Sequence, residues 1–311
     1  MTRTPARAGV GALTLAVAAV LGLGLSACDT VPAQAATVNG SDISRADLQR
    51  DLKALSENPT LYNLTGATNR SISGDAARSW LTQLITWELA EQIVAEHHLQ
   101  PSSDAKAQVT EQLKSGPASV LPQDMKDEVM AGALAIDALS STLPLSADEL
   151  AKVYAVDSAS TGALCVSHIL LKTEAEAEAV RTELAGGAAF ADVAKARSTE
   201  PAAKTSGGAL TSDDGNACIP FTTFVSQFDA DFTAGAVAGK AGVPSEPVKS
   251  QFGWHVILNR PYDEISADLA KLANASAGEL ALGAALHTAD VSVDPRYGRW
   301  SDTLGKVVSL G

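Results

Sequence analysis

The chain is poor in the residues that usually announce a charged partner or a metal. Lysine and arginine number 23 against 36 aspartates and glutamates, a formal net charge of −13, and no stretch concentrates the positive ones. Aromatic residues make up only 5% of the 311 positions. Nucleic-acid binding needs clustered positive charge to displace counterions, so that class is excluded. Histidine is scarce as well, at five. His97 and His98 stand together, but no other ligand cluster accompanies them, and the end of a helical stretch is where positive character is favoured anyway. No metal or cofactor site is read from them. Long apolar runs are also missing: residues 10–25 form a continuous apolar or small stretch that is short for a membrane span. The acidity favours solubility and disfavours electrostatic adhesion to anionic lipid.

What is present begins with Arg3 and Arg7, followed by that apolar stretch and then Leu25-Ser26-Ala27-Cys28. A small-residue cleavage site running into a cysteine resembles the bacterial lipobox. The resemblance implies cleavage of residues 1–27, acylation of Cys28 and a tether over 28–35; an uncleaved signal anchor is the alternative. Each buried CH₂ of such a lipid contributes ~0.8 kcal/mol, so two or three chains suffice for stable anchoring. The expected location is the cell membrane, lipid-anchored, on the extracytoplasmic side. Loss of the two signal arginines leaves 21 basic against 36 acidic side chains, or −15. Of the three cysteines, Cys165 and Cys218 remain, an even pair in an oxidising compartment, and a disulfide between them is expected. Closing a loop of that size contributes roughly 4 kcal/mol in loop-entropy models.

Residues 36–156 read as a helical lobe. A short strand at 36–39 ends in an Asn39-Gly40 turn. Ser44 then caps a helix, with Asp47 in the reciprocal position and Ile43 and Leu48 as the hydrophobic staple. Residues 58–74 are loop-like. A long helix from Asp75 to about His98 carries Leu81, Leu84, Ile85, Leu89 and Ile93 as a stripe, with Trp80 and Trp87 on its flanks. Helical stretches at 102–115 and 122–142 follow. Ser146 and Glu149 make a capping box for a last short helix, and 157–162 has the composition of a linker. The strand at 36–39 needs a partner from elsewhere.

Residues 163–262 have a different rhythm: strand, two helices, glycine-led short strand, helix, strand, strand. The strand at 166–172 (VSHILLK) holds His168, and 251–258 (QFGWHVIL) holds His255. Between them lie Ser198-Thr199-Glu200-Pro201, Gly207-Gly208-Ala209-Leu210-Thr211 and a helical pattern with Phe221, Phe224, Val225, Phe228 and Phe232 on one side. About 280 mature residues allow two modest cores.

These landmarks, in this order, resemble a parvulin-type peptidyl-prolyl cis/trans isomerase domain. The family's SHIL is matched by Ser167-His168-Ile169-Leu170 and its closing FGxHII by Phe252-Gly253-Trp254-His255-Val256-Ile257. Its S-T-D-P and GGDLG are matched by Ser198-Thr199-Glu200-Pro201 and the GGALT at 207–211. The resemblance implies an antiparallel sheet with surrounding helices, and a site needing no nucleophile, metal or cofactor. His168, Glu200 and His255 would be its central polar residues, the histidines as a hydrogen-bonded floor rather than a proton shuttle. Phe224, Phe228 and Phe252 would hold the proline, with Ser198 in support. Glu200 is one methylene longer than the usual Asp, and Ala209 and Thr211 replace the Asp and Gly of GGDLG. A second reading therefore stands beside the first, a non-catalytic chaperone or holdase that retains the parvulin fold. The loop after the first strand, Lys172-Thr173-Glu174-Ala175-Glu176, has one lysine among acids and does not fit phosphate recognition.

Residues 263–311 read as a helix and then a strand at 291–293, a candidate partner for Thr37 and Val38. That arrangement inserts the isomerase-like unit into a discontinuous helical lobe. It resembles the SurA and PrsA-like exported foldases, whose opening is similar to Val38-Asn39-Gly40, Ile43-Ser44 and Asp47-Leu48 here. The expected fold class is α+β, a parvulin-like sheet within a mostly helical chaperone lobe. The implied partners are unfolded or newly exported polypeptides containing X–Pro bonds, and the membrane through Cys28. Residues 297–300 (YGRW) read as a solvent-facing aromatic turn.

Overall fold

Strand β1 (Gln34–Val38) is paired on both edges, by the strand that follows its turn and by a segment near the far end of the chain. The computed structural model describes residues 33–58 and 72–311; Cys28 and the segment 1–27 lie outside the described residues. β1 begins inside the span 28–35 that reads as tether. Asn39 and Gly40 have φ of 50° and 89°, the double positive φ of a tight hairpin, and lead into β2 (Ser41–Ser44). On the other edge, Thr37 pairs with Ser292 and Val38 with Val291.

Ser44 caps α1 (Arg45–Glu57), its hydroxyl accepting from the Ala46 and Asp47 amides. Asp47 turns to Arg50 instead of back to the cap, so the expected box is half formed. In α2 (Gly74–His97), Leu81, Leu84, Ile85 and Leu89 face inward. Trp80, expected on a flank, is a core residue at 2% exposure. Its indole N–H donates to the buried Asp51 carboxylate at 3.3 Å, and a partner for that N–H is what allows the ring inside. Helices α3 (Ala105–Ser115), α4 (Gln123–Ala138) and α5 (Ala147–Val156) complete the lobe, the last with the full Ser146–Glu149 capping box.

Residues 157–162 are not a loose linker. Ser158, Ala159 and Thr161 are buried in a single 3₁₀ turn. Gly162, at φ 77°, lies so close to the backbone of Leu280 that a Cβ would sit 1.9 Å from its carbonyl oxygen. Polar, small composition resembles that of a linker, but here it permits close backbone packing.

The second unit runs β3 (Ala163–Leu164), β4 (Val166–Leu171), α6 (Glu174–Ala185), α7 (Phe190–Arg197), α8 (Ala203–Ser206), β5 (Ile219–Pro220), α9 (Phe221–Gln227), α10 (Ala230–Val237), β6 (Val248–Ser250) and β7 (Gly253–Asn259). β4, β7 and β6 form an antiparallel sheet in that order, and β3 pairs with β5. The glycine-led strand expected at 207–210 is only an edge bridge, Ser167 to Ala209. The His168 amide donates to Gly208 O at 2.8 Å, and a Cβ on Gly208 would lie 2.3 Å from His168 O. The helix expected across 220–232 is two helices. Phe228 is extended (φ −105°, ψ 157°), and Asp229 caps a new helix by accepting from the Asp231 and Phe232 amides.

Cys165 and Cys218 are disulfide-bonded, joining the start of β4 to the segment before β5. Helix α11 (Tyr262–Thr288), broken at Ser276, returns the chain to the lobe, and β8 (Val291–Val293) closes the sheet with β1. β9 (Arg299–Ser301) and β10 (Lys306–Val308) form a hairpin. Tyr297 and Trp300, expected to face solvent, pack partly buried against the main core. The fold is α+β. Its largest apolar cluster is continuous, running from Trp80, Leu81 and Met125 through Leu164 and Val166 to Phe221, Phe224 and Ile257.

Candidate active site

Alternation in β4 and β7 sets the two faces of the central sheet. Ile169, Leu171, Trp254 and Val256 point to one side, where α6 and α7 cover them. His168, Leu170, His255 and Ile257 point to the other. The register pairs His168 with Ile257 and Leu170 with His255, so the two imidazoles are diagonal neighbours on one face. Their rings stack with centroids 5.4 Å apart, and Nδ1 meets Nδ1 at 3.2 Å.

Both imidazoles are buried. His168 Nε2 lies 2.8 Å from Glu200 Oε2, without the alignment of a full hydrogen bond. His255 Nε2 lies 2.8 Å from Ser250 Oγ, which also accepts from the Phe252 amide at 3.1 Å. Contact with His168 holds the Glu200 carboxyl below its ordinary range, against the opposing effect of burial. Burial, followed by the proximity of His168, pushes the His255 pKa down to about 4, opposed by Glu200 and Asp229. An ionised carboxylate only accepts, so His168 presents N–H at Nε2 and, when neutral, a lone pair at Nδ1. With His168 in that neutral form, His255 donates from Nδ1 and accepts the Ser250 hydroxyl proton at Nε2.

The sign of the His255 shift makes a stability prediction. Its folded pKa lies below the unfolded value near 6.5, so between those values the unfolded chain binds the extra proton. The contribution is complete above pH 6.5 and is lost as acid approaches pH 4, by about 3 kcal/mol in total. Urea midpoints at pH 7.5 and 4.5 are expected to differ less in His255→Gln than in the wild type. Equal differences in the two proteins would remove His255 as the source.

The histidine face forms the floor of a cleft of about 250 Å³ lined by His168, Leu170, Glu200, Leu210, Gln227, Phe228, Asp229, Phe232, Phe252 and His255. Phe232 meets both imidazoles, at 5.2 Å from His168 and 4.9 Å from His255, with Phe228 at 5.6 Å. Phe252 stands at the rim, 69% exposed. Two expected substrate-binding residues do not line the cleft. Phe224 is fully buried behind Phe228, with ring centroids 4.3 Å apart, because the break at Phe228 and Asp229 turns the chain after α9. Ser198 is buried beneath Glu200, its hydroxyl accepting from the Leu170 and Glu200 amides at 3.2 and 3.3 Å. It fixes the loop that carries Glu200 against the end of β4.

The sequence reading missed Leu170, Leu210, Gln227, Asp229 and Phe232 in the lining, and Ser250 behind it. Period-two spacing from His168 identifies Leu170, and an aspartate after an apolar helical run is a restart signal that would have moved the pocket to Phe228 and Phe232. Ser250 carries no comparable signal. Among the described residues no cluster suited to a metal ion occurs.

Residues 168–260 match the family model described as Rotamase, PPIC-type PPIASE domain. The foldase protein PrsA of Clostridium kluyveri is 46% identical over 92 residues, which is 30% of this chain and 25% of that protein. Foldase protein PrsA 1 of Bacillus cereus is 37% identical over 111 residues, 34% of this chain and 35% of that protein. The chain thus spans about a quarter to a third of the length of these curated relatives. The crystal structure of PrsA from Bacillus subtilis is 22% identical, covering 81% of this chain and 91% of its own at a TM-score of 0.28, too low to carry an argument.

Proposed function

We propose that the protein is a peptidyl-prolyl cis/trans isomerase and foldase acting on exported polypeptides. One observation carries the reading: an apolar cleft closed at its floor by the His168–His255 pair, with the Glu200 carboxylate at its side. Rotation about an X–Pro bond breaks no covalent bond and needs no redox or nucleophilic group. The barrier is the amide's double-bond character, which moves electron density from nitrogen to the carbonyl oxygen. Phe228, Phe232 and Leu210 bind the proline ring and strip water from the amide. A fixed negative charge at Glu200, beside the carbonyl, disfavours that polarised form and so lowers the barrier to twisting. At an effective dielectric of ~20, unit charges ~4 Å apart interact by about 4 kcal/mol, so a shift of about a quarter of a charge on the carbonyl is worth about 1 kcal/mol. His168 holds the carboxylate, and the neutral His255 holds His168.

The location is part of the same proposal: acylation of Cys28 anchors the chain outside the cytoplasmic membrane, supported by the apolar stretch that precedes it and by the oxidised Cys165–Cys218 pair. Peptide mapping that finds Cys28 unacylated in mature protein would overturn the anchor. For activity, NMR exchange measurements on a short X–Pro peptide are expected to show faster isomerisation with the wild type. Glu200→Ala and His255→Ala are expected to reduce the rate by about five- to a hundredfold. No acceleration by the wild type above background ends the isomerase reading and leaves the non-catalytic holdase, which suppression of client aggregation would detect.

A further inference from the structure

Among the described residues, two charged side chains besides the histidines line the cleft, Glu200 and Asp229; both are carboxylates, and no described lysine or arginine lines it. Asp229 sits between the two aromatic walls, Phe228 and Phe232. Its Oδ1 caps α10 by accepting from the Asp231 and Phe232 amides at 3.0 and 3.3 Å. Its Oδ2 makes no such contact among the described residues, so the cap fixes the group in place while one oxygen remains for a ligand. Two cations outside the lining, Lys249 and Lys204, are directed elsewhere. Lys249 pairs in register with Trp254 and lies 5.9 Å over its ring, on the face covered by α6 and α7. Lys204 donates to the Lys195 carbonyl at 2.6 Å.

With a proline ring seated in the apolar part of the cavity of about 250 Å³, as the isomerase reading requires, an adjacent residue would fall within reach of its two carboxylates. We infer that Asp229, together with Glu200, selects X–Pro segments that carry a lysine or arginine next to the proline and rejects those with an acidic neighbour. The inference deepens the isomerase reading and rests on it. Asp229 acts here as a specificity residue, contributing charge at the mouth of the proline pocket.

Two peptide series test it, with lysine, leucine or glutamate placed before the proline in one and after it in the other. In at least one series the wild type is expected to show kcat/KM about tenfold higher for lysine than for glutamate at about 50 mM salt, falling severalfold at about 500 mM as the charges are screened. Asp229→Asn retains a side-chain oxygen able to cap α10, so its fold is expected to hold. It is expected to cut the lysine-to-glutamate ratio at least threefold. Glu111→Gln, which removes an equal charge from exposed α3, is expected to leave the ratio unchanged and so separates cleft charge from net charge. A ratio within twofold of one in both series, or an equal drop with Glu111→Gln, overturns the inference. If no peptide is isomerised, dissociation constants for the same peptides give the ratio directly: a preference for lysine that Asp229→Asn weakens upholds the selectivity while the isomerase reading falls, and equal affinities overturn the selectivity too.

Discussion

Phe232→Ala is expected to lose about 3–5 kcal/mol of stability and about a hundredfold in kcat/KM. The ring is 3% exposed and touches Phe224, Phe228, His168 and His255, so its removal opens a cavity between the main core and the cleft floor. Because the wall of the proline pocket and the contact that seats both imidazoles are one side chain, the two losses arrive together. Phe224→Ala separates them. It leaves a comparable cavity one layer deeper, with a similar cost in stability, but is expected to reduce kcat/KM by less than tenfold. Phe252→Ala, at the rim, is expected to move the urea midpoint little and to act mainly on KM. Urea unfolding and peptide exchange on the three variants make the comparison. Full activity in Phe232→Ala alongside an inactive Phe224→Ala would refute the assignment of the pocket wall.

Removing the Cys165–Cys218 bond is expected to cost about 4 kcal/mol. The bond closes a loop with a sequence separation of 53, and loop-entropy models give about that much for such a length. Both cysteines are buried in a cluster with Leu150, Tyr154, Ile265 and Leu269, so reduction does not open an exposed edge but loosens the join between β4, α5 and α11. Cys218 is further held where its amide donates to Asn216 Oδ1 at 2.8 Å, and Asn216 in turn donates to the Asp268 carbonyl at 3.0 Å. Double replacement by alanine keeps the site apolar and isolates the covalent link. Unfolding of the double variant at the wild-type urea concentration would mean the link adds nothing. Free thiols at both positions in protein recovered from cells would remove the bond and, with it, the support it lends to an oxidising location.

Much of the candidate site is legible in the chain because strand periodicity is local. His168 and His255 each stand in a short apolar run, and an alternation of two is enough to assign each to a face. Glu200 is legible only through the resemblance of Ser198-Thr199-Glu200-Pro201 to the parvulin S-T-D-P motif. Capping at Ser44 and at Ser146 with Glu149 is likewise local, since donor and acceptor lie within one turn. The position of Phe224 behind the cleft is not legible, for the opposite reason. Five apolar residues at helical spacing describe one continuous helix equally well as two, and Asp229 decides between them only by accepting the amides that restart α10.

The sequence by itself determined most of the elements, the order of the motifs, the acidity of the chain and the identity of the groups available for chemistry. Tertiary structure decided which of those groups meet. It made Phe232 rather than Phe224 the wall of the cleft and drew Ser250 in behind His255. It buried Trp80 against Asp51, and turned residues 157–162 from an apparent linker into a packed joint. The physical reason is common to all four: each depends on a partner supplied by another element, and a buried ring or polar atom is stable only where that partner is present.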